Sequence, residues 1–286
     1  MQLALGTVQF GLRYGVAGRP EPVPEAEVRT MLAYAAQAGI RVLDTAAAYG
    51  DIEARLLSLM APASPFRVVS KLPPLPARPG GLGTWITEQL NRSAQRLDQA
   101  LYAVMFHRAE DLLEAQADVA WQAAADWANN RGLRLGVSCY DAATLLRIRQ
   151  RYPVTIAQVP GNALDQRLRQ VDLSAGPALE LHLRSAFLQG LLLMPRQAGQ
   201  ARVPAAANAL ARWHDWLRVR ELPALQAAMG VVKGLPGVSH CVIGVDDLAQ
   251  LKAVVSAWAL ASPLQAPELH EADLDAIDPR RWTTTS

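Results

Sequence analysis

Two hydrophobic rhythms alternate along the chain. Short runs rich in Val, Ile and Leu occur at residues 3–8, 41–44, 67–70, 101–106, 133–137, 155–159, 179–183 and 239–243. Each is brief and nearly continuously apolar, the pattern of a strand covered on both faces. Between them lie longer stretches of helical spacing at 25–38, 52–60, 85–97, 119–129, 142–149, 205–232 and 248–259. Punctuation supports these limits: Pro24 precedes Glu25-Ala26-Glu27, Gly39 and Gly132 stand just past helix ends, and Asp141 is placed to cap the helix that follows it. Strands and helices taking turns through one domain-sized chain predict an α/β fold, a (β/α)8 TIM barrel in a single domain spanning residues 1–286. Residues 262–286 read as an irregular C-terminal tail. The alternative, a doubly wound open sheet, lacks a Gly-x-Gly-x-x-Gly after the first strand; Gly80-Gly81-Leu82-Gly83 has other spacing and reads as a loop, and no Walker A pattern occurs. Proline-rich stretches at 19–24 and 72–79 read as loops at strand ends.

Composition narrows the function. Hydrophobic residues make up 51% of 286 and charged ones 19%, enough for a large core and incompatible with disorder. Lys and Arg number 28 against 26 acidic residues, with no basic stripe, so nucleic acid is not the expected partner. No apolar run approaches the roughly 20 residues of a membrane helix, so no membrane association is expected. Met1-Gln2-Leu3-Ala4 lacks the charged and apolar regions of a signal peptide, and a cytoplasmic protein is expected. Two cysteines, Cys139 and Cys241, exclude a disulfide framework and a cysteine-based zinc site.

Three successive strand candidates end in an ionisable residue: Asp44, Lys71 and His107. The intervals, 27 and 36 residues, each match about one βα unit, so the three side chains converge on the carboxyl-end mouth where barrels place reactive groups. Tyr49 follows Asp44 by five residues and leans over the same opening. Singly, each has an ordinary reading: a surface lysine, a structural histidine, a capping aspartate. Together they suit proton delivery to a carbonyl oxygen. A phenol has a pKa of about 10; an adjacent ammonium lowers it, a carboxylate anchors the ammonium, and an imidazole hydrogen-bonds the oxygen that takes the proton.

Leu43-Asp44-Thr45-Ala46-Ala47-Ala48-Tyr49-Gly50, with Ser70-Lys71, His107-Arg108 and Gly136-Val137-Ser138, resembles the signature of the aldo-keto reductase superfamily over most of the chain. The resemblance implies reduction of an aldehyde or ketone by hydride from NADPH or NADH. Asp44, Tyr49, Lys71 and His107 would be the catalytic set, with Tyr49 as proton donor. It also implies cofactor contacts from Gly6 and Thr7 at the first strand, from Ser138 and Gln158 to the carboxamide, and from Arg184, Ser185, Leu188 and Gly190 in the loop covering the pyrophosphate. Gly244 and Gln250 would serve the start of the last helix, whose N–H groups would meet the adenosine phosphate. The implied partner is a small carbonyl substrate, and the implied assembly a monomer or weak homo-oligomer.

Four departures stand out. Tyr49-Gly50-Asp51-Ile52-Glu53 replaces the common Y-G-x-S-E, and Arg184 replaces an aromatic ring. In the last helix, Gln250, Ala253 and Val254 stand where NADPH-preferring members carry an arginine and a Glu-Asn pair. Asp246 and Asp247 add negative charge there, with Lys252 the nearest cation, so NADPH preference should be weak or NADH used. The first strand starts almost at Met1, so a bottom-plugging hairpin is absent and other residues must close that end. Substrate-pocket residues are expected from 10–24, where Arg13 and Tyr14 lie, from the loop after His107 and from the tail with Trp282. Two further readings are a redox-sensing or binding protein of this family with little turnover, and a metal-dependent barrel lyase or isomerase using Asp44 and His107, with His182 or His240 as optional further ligands; lacking a His-x-His pair, the chain is expected to have no metal site.

Overall fold

The eight apolar runs pair as parallel strands β1 (Gln2–Gly6), β2 (Val42–Asp44), β3 (Arg67–Leu72), β4 (Leu101–Phe106), β5 (Arg134–Ser138), β6 (Ile156–Pro160), β7 (Glu180–Arg184) and β8 (Val238–Ile243). Each pairs with its neighbour in sequence, and β8 returns to β1 through the register Gln2↔His240 to Leu5↔Ile243. The computed structural model, which describes residues 1–16, 18–19, 21–76 and 80–282, is therefore a closed (β/α)8 barrel in one domain, as the alternation predicts.

Successive side chains on each strand serve two cores. Ala4, Val42, Val69, Met105, Ile156 and Val242 fill the barrel interior, while Leu5, Leu43, Val68 and Val104 face the helices in a continuous outer core. This is why the runs read as apolar on both faces. Gly136 has a packing reason: a Cβ there would fall 1.5 Å from the Ile156 carbonyl oxygen, so β5 and β6 approach too closely for any side chain. Asp141 caps its helix, accepting from the Thr144 N–H at 2.7 Å.

The structure differs from expectation at several ends. β1 stops at Gly6, and a helical turn, Val8–Gly11, begins two residues later. Leu82 and Gly83 belong to the helix Leu82–Leu97 rather than to a loop. The stretch 205–232 is two helices, Ala207–Arg220 and Ala224–Lys233. Glu221 turns left-handed (φ 53°) and Pro223 lacks the N–H that would continue the ladder. Residues 77–79 of the second proline-rich stretch, 17 and 20 of the 10–24 segment, and 283–286 of the tail lie outside the described residues.

The C-terminal segment carries short helical turns, Pro267–Leu269, Leu274–Ile277 and Pro279–Arg281. Leu269, Ala276 and Ile277 are buried, and the Gln166 amide donates to the Ala266 carbonyl at 2.6 Å. The Arg280 guanidinium lies 3.5 Å from the Tyr140 ring centre.

At the amino-terminal ends of the strands a polar layer closes the barrel. Glu180 accepts from the Tyr102 hydroxyl, pairs with Arg134 at 3.3 Å and meets His182 Nε2 at 2.9 Å. His240 packs against His182 with ring centres 4.7 Å apart, and Arg67 covers the Tyr102 ring. Burial works against the Glu180 charge, yet the hydrogen bonds from His182 and Tyr102 hold its carboxyl down at about 2. Among the described residues no helix is long and apolar enough to cross a membrane.

Candidate active site

Asp44 ends β2, Lys71 lies one residue from the end of β3, and Gln158 sits on β6. The barrel directs all three inward. Lys71 Nζ donates to both Asp44 oxygens at 2.8 Å and to the Thr45 carbonyl at 2.9 Å. Its side chain is 1% exposed and that of Asp44 6%, so this is a buried ion pair with its hydrogen bonds filled. Gln158 Nε2 donates to Asp44 Oδ1 at 2.8 Å, and Ser138 Oγ reaches Gln158 Oε1 at 3.4 Å. One polar chain thus runs from β5 across the mouth to β3.

Tyr49 lies on the short turn between β2 and the helix Ile52–Leu59; its N–H donates to Ala46 O at 3.0 Å. Two contacts set that turn. Gly11 abuts it so closely that a Cβ would lie 2.1 Å from the Tyr49 carbonyl oxygen. Glu53, fully buried, accepts from Ser70 at 2.5 Å and Ser93 at 2.8 Å and pairs with Arg96 at 3.0 Å, tying the helix to β3 beside Lys71. The Tyr49 ring centre is 5.2 Å from Lys71 Nζ and meets the His107 ring edge-on at 5.7 Å.

The electrostatics differ from the expected lowering of the phenol. Burial pushes the Tyr49 hydroxyl up and outweighs the nearby Lys71 ammonium, so its pKa is raised above 10.0. Burial also opposes the Lys71 charge, but Asp44 and Tyr49 overcome it and its pKa is raised. Burial, then Lys71, presses His107 down to about 4. Near neutrality the three groups are a neutral phenol, an ammonium and a neutral imidazole.

A cavity of about 520 Å³ extends from this cluster across the mouth to the last helix, Leu248–Leu260. Gly6, Thr7, Asp44, Tyr49, Gln158, Arg184, Ser185, Gly190, Gly244 and Gln250 line it. Two expected cofactor residues do not. Leu188 is 1% exposed and turns into the outer core, and Ser138 is buried behind Gln158. The loop after β7 is unusually turned, with Ser185, Leu188 and Gln189 at φ 63°, 49° and 54°. Such left-handed non-glycine residues concentrate where a backbone is shaped for a ligand. Arg184 packs 4.4 Å from the Tyr140 ring centre while still lining the cavity.

Of the expected pocket residues, Tyr14 lines the cavity, whereas Trp282 Nε1 donates to the Asp275 carbonyl and neither it nor Arg13 reaches the lining. Gln9 was not foreseen. It lines the cavity with a buried Oε1 that has no hydrogen-bond partner among the described residues, and Gly244 is small enough to admit it: a Cβ there would fall 2.3 Å from Gln9 Nε2.

The last helix also departs from expectation. Its starting N–H groups are already taken: Asp246 N–H by Gln250 Oε1 (3.0 Å), Leu248 N–H by Glu27 Oε1 (2.8 Å) and Gln250 N–H by Asp247 Oδ1 (2.7 Å). Lys252 turns away toward the Tyr34 ring, 5.7 Å off. Arg19, from the 10–24 segment, instead faces Asp246, whose carboxyl is raised by burial and eased down by Gln250 and by Arg19.

The sequence profile of the Aldo/keto reductase family matches residues 2–274. No curated protein sequence matches the chain. Among solved structures, the aldo-keto reductase AKR11C1 of Bacillus halodurans, in its holo form, superposes with a TM-score of 0.72 at 17% identity, covering 98% of this chain and 95% of that one. Glycerol dehydrogenase AKR11B4 of Gluconobacter oxydans gives 0.67 at 18% identity over 93% and 88% of the two chains. PA4992 of Pseudomonas aeruginosa, named for the aldo-keto reductases, gives 0.64 at 22% identity over 90% and 89%.

Proposed function

Since the chain belongs to the aldo/keto reductase family, and is thereby an oxidoreductase using a nicotinamide cofactor, we propose that it reduces an aldehyde or ketone with Tyr49 as proton donor. The observation that carries this reading is the buried Lys71–Asp44 pair set against the Tyr49 ring, with Asp44 and Tyr49 both lining one cavity.

The residues present fit the cofactor. Gly6 and Gly244 line the cavity without side chains, and a Cβ at Gly6 would press the Ile243 carbonyl at 3.3 Å. The unpartnered Gln9 Oε1 and the Gln158 amide offer polar contacts inside the cavity. Gly6, Thr7, Gln158, Ser185, Gly190, Gly244 and Gln250 would hold a nicotinamide dinucleotide, and Arg184 would lie beside it. When bound, it supplies the hydride.

The chain's own groups handle the proton. Tyr49, kept protonated by burial, donates to the developing alkoxide. Lys71 stabilises the phenolate left behind, and Asp44 holds Lys71 in place against its own desolvation. His107, uncharged, orients the carbonyl oxygen through a hydrogen bond rather than by giving up a proton. Tyr14, Phe187 and Val245 add apolar wall to the cavity.

NADH is the proposed cofactor in preference to NADPH. Asp246, Asp247 and Glu27 surround the helix start, Arg19 faces Asp246, and three N–H groups there are occupied. A 2′-phosphate would meet three carboxylates. The proposed setting is the cytoplasm, with a monomer or weak homo-oligomer. The test is NADH oxidation by purified protein over a broad panel of aldehydes and ketones. Turnover of several members is expected. Tight NADH binding with no turnover of any would overturn the reading in favour of a redox-sensing protein.

A further inference from the structure

The polar layer at the amino-terminal end of the barrel lies apart from the reductase cavity and contains groups that the proton chemistry does not use. We propose that Glu180, His182 and His240 bind one divalent transition-metal ion of the zinc type.

Three observations converge. First, the donor atoms meet: one ligand atom from each residue lies within 4.8 Å of the others. His182 Nε2 is 2.9 Å and His240 Nδ1 3.5 Å from Glu180 Oε1. A tetrahedral zinc ion with bonds of about 2.0–2.1 Å separates neighbouring ligand atoms by roughly 3.3 Å, so only small side-chain rotations are needed. Second, hydrogen bonding alone leaves the cluster unfilled. Among the described residues His182 Nδ1 and both nitrogens of His240 have no hydrogen-bond partner, although the two side chains are 0% and 9% exposed. Buried imidazoles are normally satisfied; an ion at Oε1 gives His240 Nδ1 a partner. Third, the carboxylate is prepared on its other side. Tyr102 and Arg134 hold Glu180 Oε2, which leaves Oε1 toward the imidazoles. That outer support orients a ligating carboxylate.

The donor set is chemically specific. Two imidazoles and one carboxylate with an open position suit zinc, cobalt or nickel and are poor for magnesium or calcium, which take oxygen donors. Arg134 and Arg67 stand nearby as opposing charges, so the site should favour an ion that gains from nitrogen ligands over one held by charge alone. Arg134, which borders the cluster, has a partly exposed side chain. The ion would staple β7 to β8 beside the seam where β8 meets β1.

The experiment uses full-length protein stripped with a chelator and dialysed against ZnCl2, with bound zinc measured by plasma emission and affinity by calorimetry. The expected result is one zinc per chain and a higher Tm, with no such gain from MgCl2. His240→Ala and His182→Ala should each weaken binding at least about 100-fold, while His107→Ala, at the other end of the barrel, keeps it. Retained NADH affinity in His240→Ala shows that this variant folds. If it does not fold, imidazole NMR of the unmodified protein decides: zinc should perturb two histidines that persist unchanged in the spectrum of His107→Ala. The proposal is overturned if no zinc is retained, if binding survives loss of His240, or if it disappears with His107.

Discussion

Replacing Lys71 by Met isolates the ion pair on which the proton chemistry depends. Met keeps the aliphatic stem and removes only the ammonium, which now donates to Asp44 at 2.8 Å twice and to Thr45 O at 2.9 Å. Afterwards Asp44, its side chain 6% exposed, keeps one side-chain hydrogen bond among the described residues, from the Gln158 amide at 2.8 Å on Oδ1. Breaking a buried pair from one side costs about 3–5 kcal/mol, because the surviving charge is left uncompensated. Loss of a preorganised cation beside the forming phenolate should lower turnover about 10²–10³-fold. The companion Asp44→Asn/Lys71→Met removes both charges and should return stability to within about 1–2 kcal/mol of the parent, while turnover stays low. Urea unfolding and single-turnover reduction measure the two quantities. The reasoning fails if Lys71→Met is as stable as the parent, or if the double variant regains turnover.

Three further outcomes follow from the same geometry. Reductive turnover should be flat from roughly pH 5 to 9: a group that must be protonated is lost as pH rises through its pKa, which for Tyr49 lies above 10.0, and a group that must be neutral is lost as pH falls through its own, about 4 for His107. A limb near pH 6.5 that vanishes in a His107 variant would contradict the assignment. Gly11→Ala puts a methyl 2.1 Å from the Tyr49 carbonyl, so the turn must move; kcat should fall at least about tenfold and stability by about 1–3 kcal/mol, and an unchanged kcat would refute the positioning role. Equilibrium binding should favour NADH, and Glu27→Gln/Asp246→Asn should tighten NADPH by about tenfold; NADPH binding tenfold tighter than NADH in the parent would overturn the cofactor assignment.

Much of this architecture was legible in the chain because strands covered on both faces leave continuous apolar runs, and all eight lie within two residues of their expected places. Asp44, Lys71 and His107 were legible for a related reason: each stands at or just beside a strand end, and closure brings those ends together. Pro223 was a readable break in the 205–232 stretch, overridden by the apolar spacing around it. Other features depend on distances that sequence spacing does not encode. Glu27 reaches Leu248 across 221 positions, and Arg19 meets Asp246 only after the 10–24 segment folds over the mouth. Leu188 was misplaced because a left-handed turn sends it into the core while its neighbours line the cavity. The direction of the Tyr49 shift was missed because a sequence names the neighbouring charge but not the burial that outweighs it. Glu180 and His182, two apart on one strand, did announce a shared face, but His240 joins them only through the β7–β8 pairing.

Tyr49 carries the central claim, and Tyr49→Phe tests it with the least disturbance, since only a hydroxyl is lost. The measurement is the single-turnover rate of carbonyl reduction, taken beside the NADH Kd of the same preparation. A rate reduced about 10²–10⁴-fold with Kd within about threefold of the parent is the predicted result. A rate within threefold of the parent would contradict it, because the proton would then be reaching the alkoxide from another group.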